Sequence, residues 1–507
     1  MRKRAYLLAS LAIAVGLAGC GAQEEGGEIS AAREVSEIPI TTASEEARAY
    51  YLEGQALLDA GRALEARAAF RLAAQKDPKF ARAYLGVANT AVSNIEFKEF
   101  MDLAMANADG VSEGEKLLIE INMTFFENDA DRRHALANEL VEKYPASPRA
   151  WLALGGVQTG LDQNEGARAS MNRGLALDPN LAAGYTQLGF SYLFSEPKDF
   201  GKAAQSMGRA VELMPEEASA HVNLGDVYRA SQDLEGAREE YATASELDPE
   251  NGVALVKKGH VNSFLGNYDE ARGDYDRSLE VAKVEQRAFY APFRAYIHIH
   301  AGDAEAALAE LRSLVENVEK MGTPAEQVNG AKMNALTNIA MIALQYGKFD
   351  LAEHALEKRA ELGMAIALEV GAPAGVRGQE ANIAYWNGIL AARKGDYRAA
   401  KMAADENAQL LEPDNNPRKL EPYHDLLGLT ALLQGNYAEA VDHYQQANPN
   451  NIYTRFHLGL AYEGLGNTDE AQQIFREVYE FNFNNLGYAL VRKEAKGKMM
   501  QRVSQAN

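Results

Sequence analysis

Proline recurs at Pro145, Pro179, Pro215 and Pro249, in steps of 34, 36 and 34 residues. Glycine keeps the same step at Gly155, Gly189, Gly225 and Gly259. Between each glycine and the next proline come a small residue and then a large one: Ala167 and Met171, Ala203 and Met207, Ala237 and Tyr241. A unit this short cannot bury its own apolar face, so it is stable only when stacked on its neighbours. A quasi-one-dimensional stack of helical units is expected, and such stacks bind along extended surfaces more often than they catalyse.

Residues 218–249 show the unit in detail. Leu224, Gly225 and Tyr228 share one helical face, Ser231-Gln232-Asp233 makes a turn, and Ala237, Tyr241 and Ala244 form the face of a second helix. Asp248-Pro249 ends it, because proline biases the preceding residue out of the helix. The co-recurrence of small, aromatic and proline positions resembles the tetratricopeptide repeat. The same register fits residues 47–78, 148–179, 182–215 and 252–283, and more loosely 81–107 and 114–145. Later units keep only the turn, at Gly302-Asp303, Gly347-Lys348, Gly395-Asp396, Gly435-Asn436 and Gly466-Asn467.

The expected fold is all-α, with tandem helix-turn-helix repeats forming a right-handed α-solenoid of about twelve hairpins over residues 46–484 and a C-terminal capping helix and tail at 485–507. The stretch Gly371-Ala-Pro-Ala-Gly-Val-Arg-Gly378 reads as a long surface loop rather than a hinge. Pro292 reads as a kink or a helix start.

The first residues read as an address. Arg2, Lys3 and Arg4 precede the apolar run Ala5 to Gly16, which is too short to cross a bilayer core. Leu17-Ala18-Gly19-Cys20 resembles a bacterial lipoprotein box, and Cys20 is the only cysteine. That resemblance implies a signal peptide over residues 1–19, lipidation (palmitate among the acyl chains) at Cys20 and a two-chain anchor. With Gly21 next, it implies the periplasmic side of an outer membrane. Residues 20–45 are rich in Glu, Gly, Ser and Ala without a 3.6-residue stripe, and read as a lipidated flexible tether. Once residues 1–19 are removed, the formal charge goes from −21 to −24, because three basic residues leave. So acidic a surface repels phosphate backbones, which argues against nucleic acid as a partner.

Enzyme patterns are few. Gly110-Val111-Ser112-Glu113-Gly114 fits a nucleophile elbow, but that elbow needs a strand before the serine, and the flanks read as helix. Ser112 to Glu115 also fits a helix capping box, which is the favoured reading. Ser195-Glu196-Pro197-Lys198 reads as a loop. His298 and His300 stand two apart, so on a helix they point to different faces and chelate poorly. No metal, cofactor or catalytic residue is expected.

In the tetratricopeptide family the first helix of each hairpin lines a concave groove. Carrying that register over implies a partner-binding row of Gln187, Asn223, Asp226, Arg229, Lys257, His260, Phe293, Tyr296, Asn338, Tyr385 and Trp386. Amides there suit a peptide backbone, and aromatics suit apolar anchors. Asn223 and Lys257 resemble fragments of a carboxylate clamp, but Thr186 and Phe190 stand where its other members would be. The functional expectation is a non-catalytic protein-protein interaction scaffold of the bacterial cell envelope. A glycan- or nutrient-binding helical-repeat lipoprotein and an unrecognised hydrolase are the alternatives.

Overall fold

The structure is a computed structural model that describes residues 37–127 and 129–505. The proposed signal peptide, Cys20 and the tether up to residue 36 lie outside the described residues. Among those described, helix and turn alternate and there is no strand. The chain divides into two compact units at Ser231–Gln232.

The first unit holds α1 (Glu45–Asp59), α2 (Ala63–Lys76), α3 (Ala81–Asn89), α4 (Asn94–Ala106), α5 (Glu113–Glu127), α6 (Ala130–Lys143), α7 (Pro148–Gly160), α8 (Asn164–Leu177), α9 (Ala182–Phe194), α10 (Phe200–Leu213) and α11 (Ala218–Ala230). The second holds α12 (Leu234–Leu247), α13 (Gly252–Leu265), α14 (Tyr268–Val281), the short α15 (Val284–Tyr290), α16 (Pro292–Ala301), α17 (Ala304–Asn317), α18 (Ala325–Gln345), α19 (Phe349–Val370), α20 (Pro373–Lys394), α21 (Tyr397–Leu411), α22 (Glu421–Leu433), α23 (Tyr437–Tyr444), α24 (Ile452–Gly464), α25 (Thr468–Tyr479) and α26 (Leu486–Gln505). With α15 and α26 set aside, five successive packed helix pairs lie in the first unit and six in the second, while α11 closes the first unit and α12 opens the second.

The repeat's chemistry explains each pair. A Cβ added at Gly155 would lie 2.9 Å from Met171, and one at Gly259 would lie 2.6 Å from the Tyr275 ring. The glycine gives way to the large residue of the paired helix, which is why the two recur together. Ala167, Ala203 and Ala271 are fully buried at the same crossings. Caps start the helices: Ser44, Ser147, Asp199, Asp303 and Asp396 each accept from the amide three residues on. Between pairs, Asp178 and Asp248 are extended before their prolines. A polar aromatic six residues after the proline ties the link down: Tyr84 to the Pro78 carbonyl, Trp151 to Pro145 and His221 to Pro215. In the later turns Gly302, Gly347, Gly395, Gly435 and Gly466 hold φ between +69° and +91°, which glycine adopts without steric cost.

The stretch 371–378 is not a loop. Gly371, at φ +72°, ends α19; Ala372 is the cap; and Pro373 opens α20, so two 22-residue helices meet across two residues. Proline at the first helical position is preorganised for a start, and the two glycines that follow are tolerated in the first turns. Nothing lies within 4 Å of a Cβ at Gly378. Gly378→Ala is therefore expected to stabilise the second unit by about 0.5–1 kcal/mol in urea unfolding. Pro292 likewise stands at the first turn of α16.

α26 does more than cap the last pair. It packs on α24 and α25 and also reaches α16 and α18. Leu486 and Ala489 enter one core cluster of the second unit, and Tyr488, Val491 and Ala495 enter another. The link before it is fastened too. Gln232, held at φ +74°, donates to the Glu480 carbonyl and accepts from the Asn482 amide. This tie offsets the cost of a left-handed non-glycine.

Candidate functional site

The first unit carries part of the segment expected to be a tether. Residues 37–44 are docked, not free. Ile38 is 2% exposed and joins the core cluster of α3 to α7. The Glu37 carboxylate accepts from the Ser147 hydroxyl at 3.2 Å, and the Pro39 carbonyl accepts from Arg82 at 3.4 Å. Thr41 donates its amide and its hydroxyl to Glu115, at 2.7 and 2.5 Å. The Thr42 hydroxyl donates to Asp77 at 2.6 Å. The strap thus crosses the N-terminal ends of α3, α5 and α7 before Ser44 caps α1.

Glu115 organises this edge. It is wholly buried and completes the expected capping box: the Glu115 amide donates to Ser112 Oγ, while the Ser112 amide donates to Glu115 Oε2. Ser112 is therefore a cap rather than a nucleophile. The two amides and two hydroxyls of Thr41 and Ser112 all reach this one carboxylate, which keeps a buried charge tolerable. Glu115→Ala is expected to cost the first unit about 3 kcal/mol, since it strands buried donors. Urea unfolding followed by Trp151 in a Trp386→Phe background reads it.

Arg149 and Asp59 form a two-pronged buried ion pair, and Ser219 donates to the Ala60 carbonyl. Burial pushes the Asp59 carboxyl up and the Arg149 guanidinium down, and the contact between them opposes both shifts. Of the residues assigned to a groove here, Gln187 on α9 and Asn223 on α11 are half-buried. Asp226 and Arg229 are buried on α11, bonded to each other at 2.8 Å.

In the second unit Lys257, Phe293, Tyr385 and Trp386 are half-buried. His260, Tyr296 and Asn338 are buried. Asn338 donates to the Tyr296 hydroxyl at 3.0 Å, and His260 bonds the Tyr275 hydroxyl at 2.7 Å beneath Asn484. Register places a residue on a helix face, but it does not say what covers that face; here the link to α26 covers it. His298 and His300 do diverge: His298 meets Arg272 and Glu310, and buried His300 meets Asn484.

Sequence reading missed a polar network between α18, α20, α22 and α24. Tyr385 and Thr454 donate to Asp425 at 2.6 Å each. Arg393 donates to the Tyr453 hydroxyl at 3.0 Å, and Tyr453 donates to Gln345 at 2.5 Å. Burial raises the Asp425 carboxyl while the two hydroxyls oppose it, and burial lowers His457 to about 3. The only early signal was Tyr385 itself. These groups lie up to 109 positions apart in the chain, from Gln345 to Thr454, so spacing could not join them. No activated nucleophile stands in the network. Among the described residues no three His, Cys, Asp or Glu side chains could hold a metal ion, and no helix is long and apolar enough to cross a membrane.

Phe289 is the most exposed large ring, 65% accessible, set edge-on to Phe293. Phe293 in turn packs edge-on to His260 and Tyr296.

Tetratricopeptide repeat models match residues 26–89, 218–251, 257–321 and 431–493. The chain is similar to Anaphase-promoting complex subunit 3 of Schizosaccharomyces pombe, 27% identical over 179 residues, which is 35% of this chain and 26% of the relative. It is also similar to Tetratricopeptide repeat protein 36 of Xenopus tropicalis, 35% identical over 91 residues, 17% of this chain and 45% of the relative. It thus spans about a quarter of the first relative and under half of the second. Among solved structures, the APC/C hetero-tetramer Cut9-Hcn1 covers 82% of this chain and 76% of its own, at 18% identity and a TM-score of 0.38.

Proposed function

We propose that this repeat chain is a non-catalytic interaction scaffold that binds a protein or peptide partner and is held to a bacterial outer membrane, on its periplasmic side, by lipid on Cys20. The all-helical fold of tandem tetratricopeptide repeats is typical of protein-protein interaction. One relative is by name a subunit of a complex, and another is a BBSome complex member homolog of Drosophila melanogaster. The observation that carries the reading is the docked strap: an extended peptide, held by main-chain and side-chain contacts, is already a fit ligand for these helices. The envelope address rests on the first twenty residues alone.

Photo-cross-linkers at Gln187, Asn223 and Phe289, compared in cells with one at Met402 on α21, test the partner. One partner enriched at the first three positions supports the scaffold; equal capture everywhere removes it. Metabolic labelling with an alkyne fatty acid tests the anchor, which predicts label on the parent and none on Cys20→Ser. Exposed Phe289, edge-on to half-buried Phe293, favours a second reading, a glycan platform, for which oligosaccharides would protect Phe289 from cross-linking.

A further inference from the structure

We infer that the edge built by the N-terminal ends of α3, α5 and α7 is a peptide-binding track for an extended acidic–aliphatic–proline–aliphatic–threonine segment, and that residues 37–42 are its resident occupant, displaced when a partner peptide of that chemistry binds. The inference rests on the scaffold reading and gives it a site and a ligand class.

The track reads both main chain and side chains. Arg82 takes the Pro39 carbonyl and Glu115 takes the Thr41 amide, contacts that any extended peptide could make. Specificity comes from the pocket for Ile38. Gly114 leaves the room for it: a Cβ there would stand 2.9 Å from Ile38 Cγ2 and 2.6 Å from the Tyr144 ring. Ser147 and Asp77 then select a carboxylate at the first position and a hydroxyl at the sixth.

The resident segment is a thin occupant. Of residues 37–42 only Ile38 is buried, and Pro39 and Thr41 are exposed. It also leaves the track unsatisfied. Gln55 Nε2 and Arg82 Nε, on side chains of residues 1% and 2% exposed, have no hydrogen-bond partner within the protein. Both residues line a recess bounded by Tyr51, Gly86 and Asn89, with space for on the order of one water. A ligand placing an acceptor in that recess would gain bonds the strap does not make. A tethered strap competes at an effective concentration of the order of millimolar, which a partner must exceed.

The test uses the full chain and a fluorescent Glu-Ile-Pro-Ile-Thr-Thr peptide, with binding read by anisotropy. Two variants loosen the strap without altering the track: Thr41→Pro removes the amide and hydroxyl donated to Glu115, and Ile38→Asp empties the pocket. The peptide is expected to bind both variants at least about tenfold more tightly than the parent. A peptide carrying Asp in place of Ile is expected to bind none of the three. If Ile38→Asp loses helical circular dichroism, Thr41→Pro decides alone. Equal affinity for parent and loosened chains, no binding to any, or equal binding of the Asp peptide overturns the track. Partner capture at Phe289 in the second unit does not involve the strap, so it would leave the scaffold reading standing if the track fails.

Discussion

Tyr488→Ala is expected to cost the second unit about 4 kcal/mol, enough to remove much of the stability of an ordinary domain. The ring is fully buried, edge-on to Phe264 at 5.4 Å. Its hydroxyl donates to the Tyr479 carbonyl at 2.7 Å and bonds Asn482 at 2.9 Å, and the Arg492 guanidinium donates back to it. Truncation opens a cavity between α13, α25 and α26 and leaves those polar groups without partners, so the transfer loss and the hydrogen-bond loss add. The chain has two tryptophans, Trp151 in the first unit and Trp386 in the second. In a Trp151→Phe background, urea unfolding followed by Trp386 reports the second unit alone. A shift below about 1 kcal/mol would mean that α26 is an appendage rather than core.

Acidification is expected to weaken the same unit strongly. Burial lowers His300 to about 4, helped by nearby Arg492 and opposed by its bond to Asn484. Burial also lowers His457 to about 3, helped by Arg393. Both are bases whose folded value lies below the unfolded value of 6.5. Below pH 6.5 the unfolded chain binds protons that the folded chain refuses. The stability is therefore whole above about 6.5 and drains as the pH falls toward 4. At about 1.4 kcal/mol per pH unit, His300 alone removes roughly 3 kcal/mol by pH 4, and His457 adds a comparable loss. Buried Asp425, whose carboxyl is raised, works in the opposite direction. His300→Gln isolates the histidine, because Asp425 is the same in both proteins. The expected result is a shallower fall in Trp386-monitored stability between pH 6.5 and 4.5 for His300→Gln, and parallel curves would refute the assignment.

Much of the local structure was legible. Gly155 with Met171 and Gly259 with Tyr275 announced helix crossings, because a missing side chain and a large one must meet. The turn glycines from Gly302 to Gly466 announced left-handed backbone. Ser112 with Glu115 announced a capping box. These are signals within one hairpin. The candidate site was far less legible. Residues 37–42 carry no helical period, since an extended strap needs only Ile38 to be apolar, and low periodicity looks the same in a tether. At 371–378 three glycines outvoted one proline in the reading, yet Pro373 at a first turn starts a helix whatever follows it.

The repeat by itself determined that this chain makes paired helices, where each pair turns, and which small and large residues mate inside it. Those are interactions between residues fewer than about forty positions apart, and their spacing is written along the chain. Only the tertiary structure decided what lies against the inner helices: residues 37–42 over Glu115 and Arg82, and Asn484 and Tyr488 over His260, Phe264 and His300. Those partners come from 43 to 224 residues away, joined by shape and burial after the hairpins have formed, and no periodicity records them.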